Sequence, residues 1–71
     1  MEQNELLALV AEILEIESVQ PTDDLLDKGW DSLSNLTFIA EVDERVGVAV
    51  DADRLTRAVT VADLLPLTSP S

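Results

Sequence analysis

Between Gln3 and Ile16, Leu6, Leu7, Leu9, Val10, Ile13 and Leu14 fall on one side of a helical wheel of about 3.6 residues per turn, with Glu5, Glu12 and Glu15 opposite. Such a one-sided stripe commits the segment to an amphipathic helix that must be covered by other apolar faces. A chain of 71 residues offers few of them. The next periodic run lies between Ser32 and Val46, so the two segments have to cover each other, with short C-terminal elements closing the rest. Trp30 and Phe38 are the only aromatics although 46% of the residues are hydrophobic, so Leu, Val, Ile and Ala must build the interior. The expected fold is all-α: a small four-helix bundle with three main helices, one short helix and a long loop between helices 1 and 2.

That loop is Glu17 to Asp31, fifteen residues with Pro21, Gly29 and several acids. Leu25, Leu26 and Trp30 are its expected anchors on the bundle, and one helical turn fits after Pro21. A connection this long in a small domain is either functional or disordered, and the apolar anchors favour an ordered one. The second helix is expected over Ser32 to Val46, with Gly47 as the left-handed residue that ends it. Its wheel places Leu36, Ile39, Val42 and Val46, flanked by Phe38, on the buried stripe. Ser34, Thr37, Glu41, Glu44 and Arg45 fall on the solvated one, with Leu33 and Ala40 toward the solvated side. Val48 to Val50 read as an extended connector, and Asp51 caps a short helix over Ala52 to Ala58. Thr60-Val61-Ala62-Asp63 has the spacing of a capping box for a last helix that stops before Pro66. The domain is thus 1–67, with 68–71 as a flexible tail.

The chain has no Cys and no His, which excludes disulfides, thiolate zinc sites and every Ser-His or Cys-His catalytic pair. Neither an enzyme nor a resident metal is expected. Fifteen acids against four bases give a net charge of −11, which disfavours nucleic acid and anionic membranes and favours basic protein partners. No run approaches the roughly 20 apolar residues needed to span a bilayer, and the N-terminus opens acidic where a leader would be basic and then apolar. The expectation is a cytoplasmic, soluble monomer.

Chemistry therefore centres on Gly29-Trp30-Asp31-Ser32-Leu33, where the loop turns into the second helix. Asp31 can cap that helix, and a hydroxyl at Ser32 lies where unpaired amides and the helix dipole favour a phosphate. The order of parts, with Asp-Ser-Leu opening the second helix after a long acidic loop, resembles the acyl carrier protein family over nearly the whole chain. The resemblance implies that Ser32 carries 4′-phosphopantetheine through a phosphodiester, attached from coenzyme A by a phosphopantetheinyl transferase that uses magnesium. A carrier holding its cargo as a thioester needs a thiol, which a chain without Cys must acquire on such a group. Asp31 is then a candidate magnesium contact during attachment as well as a helix cap.

On this reading the protein tethers an acyl or related acid group and presents it to acyl-activating and acyl-transferring enzymes with basic docking surfaces. Leu33, Ser34, Thr37, Ala40, Glu41 and Glu44 are the expected partner-binding face. Carriers of fatty acid synthesis typically have acids two and five positions after the modified serine, where this chain has Ser34 and Thr37. The resemblance is therefore to a specialised stand-alone carrier. Peptidyl carriers usually show a second Gly and often a His just before the serine, where Trp30 and Asp31 stand here, which favours the acyl type over an aminoacyl or peptidyl carrier. A separate reading makes the chain an unmodified acidic helical interaction module. Leu36, Ile39, Val42 and Val61 would line any gap that admits an acyl chain, although that spacing is the ordinary signature of a core.

Overall fold

The computed structural model describes residues 1–69. Helix α1 spans Gln3–Leu14, α2 spans Ser32–Val46 and α3 spans Ala52–Thr56, and a 3₁₀ helix over Val61–Thr68 follows. This is the expected all-α architecture. Helix α1 packs against both α2 and the 3₁₀ helix, while α3 bridges α2 and the 3₁₀ helix. The core joins Leu6, Leu9, Val10 and Ala11 of α1 to Phe38 and Val42 of α2. Leu55, Val61, Leu64 and Leu67 complete it from the C-terminal side, and Val19, Leu25 and Trp30 from the loop.

Helix α1 stops at Leu14, short of the expected Ile16, because Glu15 takes a left-handed conformation at φ 57° and ψ 43°. Its turn is closed by the Ile16 N–H donating to the Ala11 carbonyl at 3.0 Å. A β-carbon makes this conformation unfavourable for any residue but Gly, so the helix ends under mild strain.

The last helix departs further from expectation, since it contains Pro66 and continues to Thr68. A 3₁₀ helix has three residues per turn, so side chains three apart stack in one row. Val61, Leu64 and Leu67 form that row and all are buried. Proline's fixed φ suits this tighter winding, and burial of Leu67 draws the chain onward past it. Thr68, assigned to the tail from sequence, is 1% exposed and its hydroxyl donates to the Leu65 carbonyl at 2.7 Å. The rest of that expected tail, beyond Ser69, lies outside the described residues. Helix α3 is likewise shorter than expected, ending at Thr56, with Asp51 capping it through the N–H groups of Asp53 and Arg54 at 2.9 and 3.2 Å.

The long loop is stitched down by backbone hydrogen bonds to a segment more than thirty residues away. The Leu25 N–H donates to the Val59 carbonyl at 2.9 Å, and the N–H groups of Val61 and Ala62 return to the carbonyls of Asp23 and Pro21 at 3.0 and 2.9 Å. This short antiparallel pairing holds the loop against the entrance of the 3₁₀ helix. The Asp63 carboxylate fixes that entrance by accepting from the N–H groups of Val59 and Thr60 at 2.9 and 3.0 Å, the backward half of the expected capping box.

Candidate functional site

The loop reaches the start of α2 through one helical turn. Asp24 opens it, with Oδ1 accepting from the N–H groups of Leu26 and Asp27 at 2.9 and 3.3 Å, and the Lys28 N–H closes it onto the Asp24 carbonyl at 3.2 Å. Gly29 ends the turn at φ 88°, a left-handed value that Gly alone adopts without strain, and the Trp30 N–H donates to the Leu25 carbonyl at 3.0 Å. Two of the three expected anchors, Leu25 and Trp30, are buried. The third, Leu26, is 81% exposed, because the turn that buries its neighbour points it outward.

Trp30 is the anchor nearest the site. Its ring meets Phe38 edge-on at 5.9 Å, and its indole N–H donates to Asn35 Oδ1. The next residue, Asp31, is in extended conformation and caps α2. Its Oδ1 accepts from the Ser34 N–H at 3.0 Å and from the Ser34 hydroxyl at 3.1 Å. The Ser34 N–H, followed by the Ser34 hydroxyl, holds the Asp31 carboxyl below the usual carboxylate range, so it remains ionised beside Ser32. Both bonds fall on Oδ1, which leaves Oδ2 without a protein partner among the described residues.

Ser32 is the first residue of α2 and is exposed, its hydroxyl making no hydrogen bond to the described residues. A buried indole and a capped helix end thus fix the backbone on either side of a free hydroxyl. Two shallow grooves flank this point. One, of about 380 Å³, includes Ser32 itself and runs between Trp30, Asn35 and α3. The other, of about 250 Å³, lies on the α1 side against Lys28, Leu33 and Thr37. No group of three or more acidic side chains among the described residues is arranged to hold a metal.

The face of α2 differs in phase from the wheel drawn from sequence. Ser34, placed on the solvated stripe, is only 8% exposed because its hydroxyl is spent on Asp31 and its small side chain fits under the helix start. Leu36, placed on the buried stripe, is 65% exposed, while Phe38, placed at the flank, has no exposed surface. The buried face is therefore centred on Ser34, Phe38 and Val42, roughly one residue's step around the wheel from the stripe of Leu36, Ile39, Val42 and Val46. Val46 is exposed and Ile39 half-buried. Leu36 consequently lines no interior gap, whereas Val42 and Val61 are core.

Of the six residues expected to meet partners, Leu33, Thr37, Ala40 and Glu44 are exposed on one face of α2. Glu41 is half-buried and engaged by Arg45 at 3.3 Å, with Arg45 also reaching Glu12 of α1 at 3.4 Å. Thr37 donates its hydroxyl to the Leu33 carbonyl at 3.0 Å, so it offers a partner no free O–H donor. Sequence reasoning missed two features of α2: the exposure of Leu36, beside the 70% exposed Leu33, and, on another flank of the helix, the bond of Asn35 to the Trp30 indole. The signal for Asn35 was available, since a buried Trp N–H needs an acceptor and Asn35 is the nearest amide after it in sequence.

A family described as the phosphopantetheine attachment site matches residues 4–65. The chain is also 35% identical to an acyl carrier protein of Beutenbergia cavernae, over 86% of this chain and 83% of that protein. The chain belongs to the acyl carrier protein family. Its fold is that of a type-II acyl carrier protein from Streptomyces verticillus involved in bleomycin biosynthesis, with a TM-score of 0.76 at 28% identity over 86% of this chain and 74% of that one. Members of this family are carriers rather than enzymes, and membership implies a covalently attached phosphopantetheine. The residues present suit that group. Ser32 offers a free, exposed hydroxyl, the dipole of the fifteen-residue α2 favours a phosphodiester at its N-terminus, and a groove begins at the serine. No helix among the described residues is long and apolar enough to cross a membrane.

Proposed function

We propose that this carrier tethers an acyl group as a thioester on 4′-phosphopantetheine joined to the Ser32 hydroxyl, and presents it to successive biosynthetic enzymes in the cytoplasm. The observation that carries this reading is an exposed, unbonded Ser32 at the first position of α2, inside the matched phosphopantetheine attachment region. When bound, the group supplies the thiol that a chain without cysteine lacks.

The chain's own contribution is placement. Trp30 and the Asp31 cap hold the Ser32 backbone rigid, so the arm's point of attachment is fixed while its far end is free to travel. The chain has no His to activate Ser32, so the proton lost on attachment goes to a group on the partner transferase. Asp31, the residue before Ser32, keeps its Oδ2 without a protein partner among the described residues. Magnesium prefers carboxylate oxygen shared with phosphate, and Asp31 is the residue of this chain that would supply it during attachment. Transferase and acyl-handling enzymes meet Leu33, Leu36 and Ala40 first, with Glu44 further along α2 for basic docking surfaces.

Intact-mass measurement on protein produced with a broad-specificity phosphopantetheinyl transferase tests the proposal. A single phosphopantetheine addition to the wild type and none to Ser32→Ala is the expected result. An unmodified wild type would return the chain to an acidic interaction module, and a modified Ser32→Ala would move the site elsewhere.

A further inference from the structure

Charge is spread unevenly along this chain. Residues 1–50 hold twelve acids against two bases, whereas residues 51–71 hold three acids against two bases, Arg54 and Arg57. Both bases of the first part are engaged: Lys28 lies 3.8 Å from Asp23, and Arg45 bridges Glu12 and Glu41 at 3.4 and 3.3 Å. Arg54 and Arg57 are exposed, and no carboxylate among the described residues pairs with either. The local fold sets them side by side. Arg54 lies in α3 and Arg57 ends it, its N–H donating to the Arg54 carbonyl at 3.1 Å. Three residues apart in one helical turn, the two side chains leave the backbone on one face, with β-carbons about 5–6 Å apart.

Both arginines line a shallow groove of about 380 Å³, with Ala58, Pro66 and Leu67 as its apolar part and Asp63 as its one acid. The N–H groups of Thr60 and Val59 hold the Asp63 carboxyl below the usual carboxylate range, so that end of the groove stays negative. The groove thus offers two positive charges, an apolar strip and a negative stop. Carboxylates on alternate residues of an extended segment stand roughly 6–7 Å apart, a spacing that two guanidinium groups can meet, each with a fork of N–H donors. An apolar neighbour on that segment covers Ala58 and Pro66, and Asp63 turns away a third acid. A lone small anion gains little here, because both guanidinium groups stand open to water, whereas a segment adds the apolar contact. A second copy of this chain, at a net charge of −11, is repelled as a whole. The groove also shares Ala58 with the one that includes Ser32, so a protein seated over Ser32 from the α3 side reaches the arginine pair. We propose that Arg54 and Arg57 dock a short acidic and apolar segment of a partner protein, opposite in charge to the basic surfaces that Glu44 of α2 would meet. This surface is built by the chain alone and does not depend on the loading of Ser32.

The test titrates three probes into unloaded protein: capped peptides Glu-Leu-Glu-Leu and Lys-Leu-Lys-Leu, and inorganic phosphate. NMR follows the arginine Nε–H and backbone amide signals in 0.15 M salt, where charges more than about 8 Å away are largely screened. The acidic peptide is expected to give saturable shifts at the Nε–H of Arg54 and Arg57 and at the amides of Ala58 and Leu67, and to leave the Nε–H of Arg45 in place. The basic peptide should move neither Arg54 nor Arg57 Nε–H. Arg54→Gln combined with Arg57→Gln should weaken acidic-peptide binding roughly five-fold, read at Ala58 and Leu67, the size of two exposed ion pairs, while the double Lys variant retains most of it. Gln is a good helix former, so the melting temperature should hold. Absence of saturable shifts with the acidic peptide overturns the proposal, as does undiminished binding in the double Gln variant. Equal shifts with phosphate would make the pair a general anion contact, and Nε–H shifts that grow with protein concentration alone would make the occupant a second copy; either result also overturns it. The wild-type titrations decide the matter even if a variant does not fold.

Discussion

Trp30→Phe probes the anchor that holds the proposed modification site to the core. Trp30 is 7% exposed, so trimming indole to phenyl removes apolar area on the order of 50 Å², about 1 kcal/mol of transfer free energy. Incomplete collapse around the smaller ring adds a comparable cavity cost. The bond to Asn35 disappears as well, for about 0.5–1.5 kcal/mol net, at the low end because Asn35 is half-buried and water can replace the indole. The edge-on contact with Phe38 can survive in a phenyl ring. The sum is roughly 2–3 kcal/mol, against a total stability on the order of 4–10 kcal/mol for a chain of this size. At about 4–8 °C per kcal/mol for a small domain, the melting temperature should fall by roughly 10–20 °C with the protein still folded at room temperature. Thermal melts followed by far-ultraviolet circular dichroism on the wild type, Trp30→Phe, Asn35→Ala and the double variant close a cycle. Asn35→Ala should cost less in the Trp30→Phe background, by about the value of the lost bond. A Trp30→Phe melt within about 3 °C of wild type would refute the anchor, since so small a change corresponds to well under 1 kcal/mol.

Glu15→Gly relieves a left-handed conformation that costs a non-Gly residue about 1–2 kcal/mol, offset in part by about 0.5–1 kcal/mol of extra unfolded-state entropy, so the melting temperature should rise by a few degrees; a fall would show that the Glu15 side chain contributes more than its backbone costs. The depressed pKa values of Asp31 and Asp63, each set by N–H donors, stabilise the fold above the unfolded carboxylate value near about 4, and that contribution is lost as pH falls through the folded values. Urea midpoints should therefore drop below about pH 4, with a shallower drop in the Asp31→Asn and Asp63→Asn variants, and equal slopes in all three proteins would contradict the assignment. Leu36→Asp should leave the melt unchanged but lower the transferase's kcat/KM, whereas Ser34→Asp should destabilise by roughly 1–3 kcal/mol by setting a second carboxylate against Asp31. The reverse pattern would restore the phase of α2 expected from sequence.

The helices were legible wherever a local device marks them. Asp31 and Asp51 cap, Gly47 closes α2 at φ 67°, and Asp63 reaches back to Thr60, all within four residues of the element they bound. The Asp-Ser-Leu start of α2 was equally local, which is why the first residue of that helix, Ser32, could be placed from sequence. What escaped depended on partners distant in sequence or on one polar group satisfying another. Ser34 buries only because Asp31 receives its hydroxyl, and a wheel that counts apolar residues assigns that place to Leu36. The pairing of Asp23 and Leu25 with Val59 and Val61 leaves no periodic trace, so the loop's order had to be inferred from its anchors. The buried row of Val61, Leu64 and Leu67 does have a period of three, and it outweighed the stop signal of Pro66.

The central claim is that a chain with no thiol of its own acquires one at Ser32. Thiol titration under denaturing conditions measures this directly on unloaded protein, protein treated with coenzyme A and a phosphopantetheinyl transferase, and Ser32→Ala treated in the same way. The account predicts no titratable thiol in the unloaded chain, which lacks cysteine, one per chain after treatment of the wild type, and none in Ser32→Ala. A treated wild type that remains without a thiol, or a Ser32→Ala protein that gains one, would contradict it.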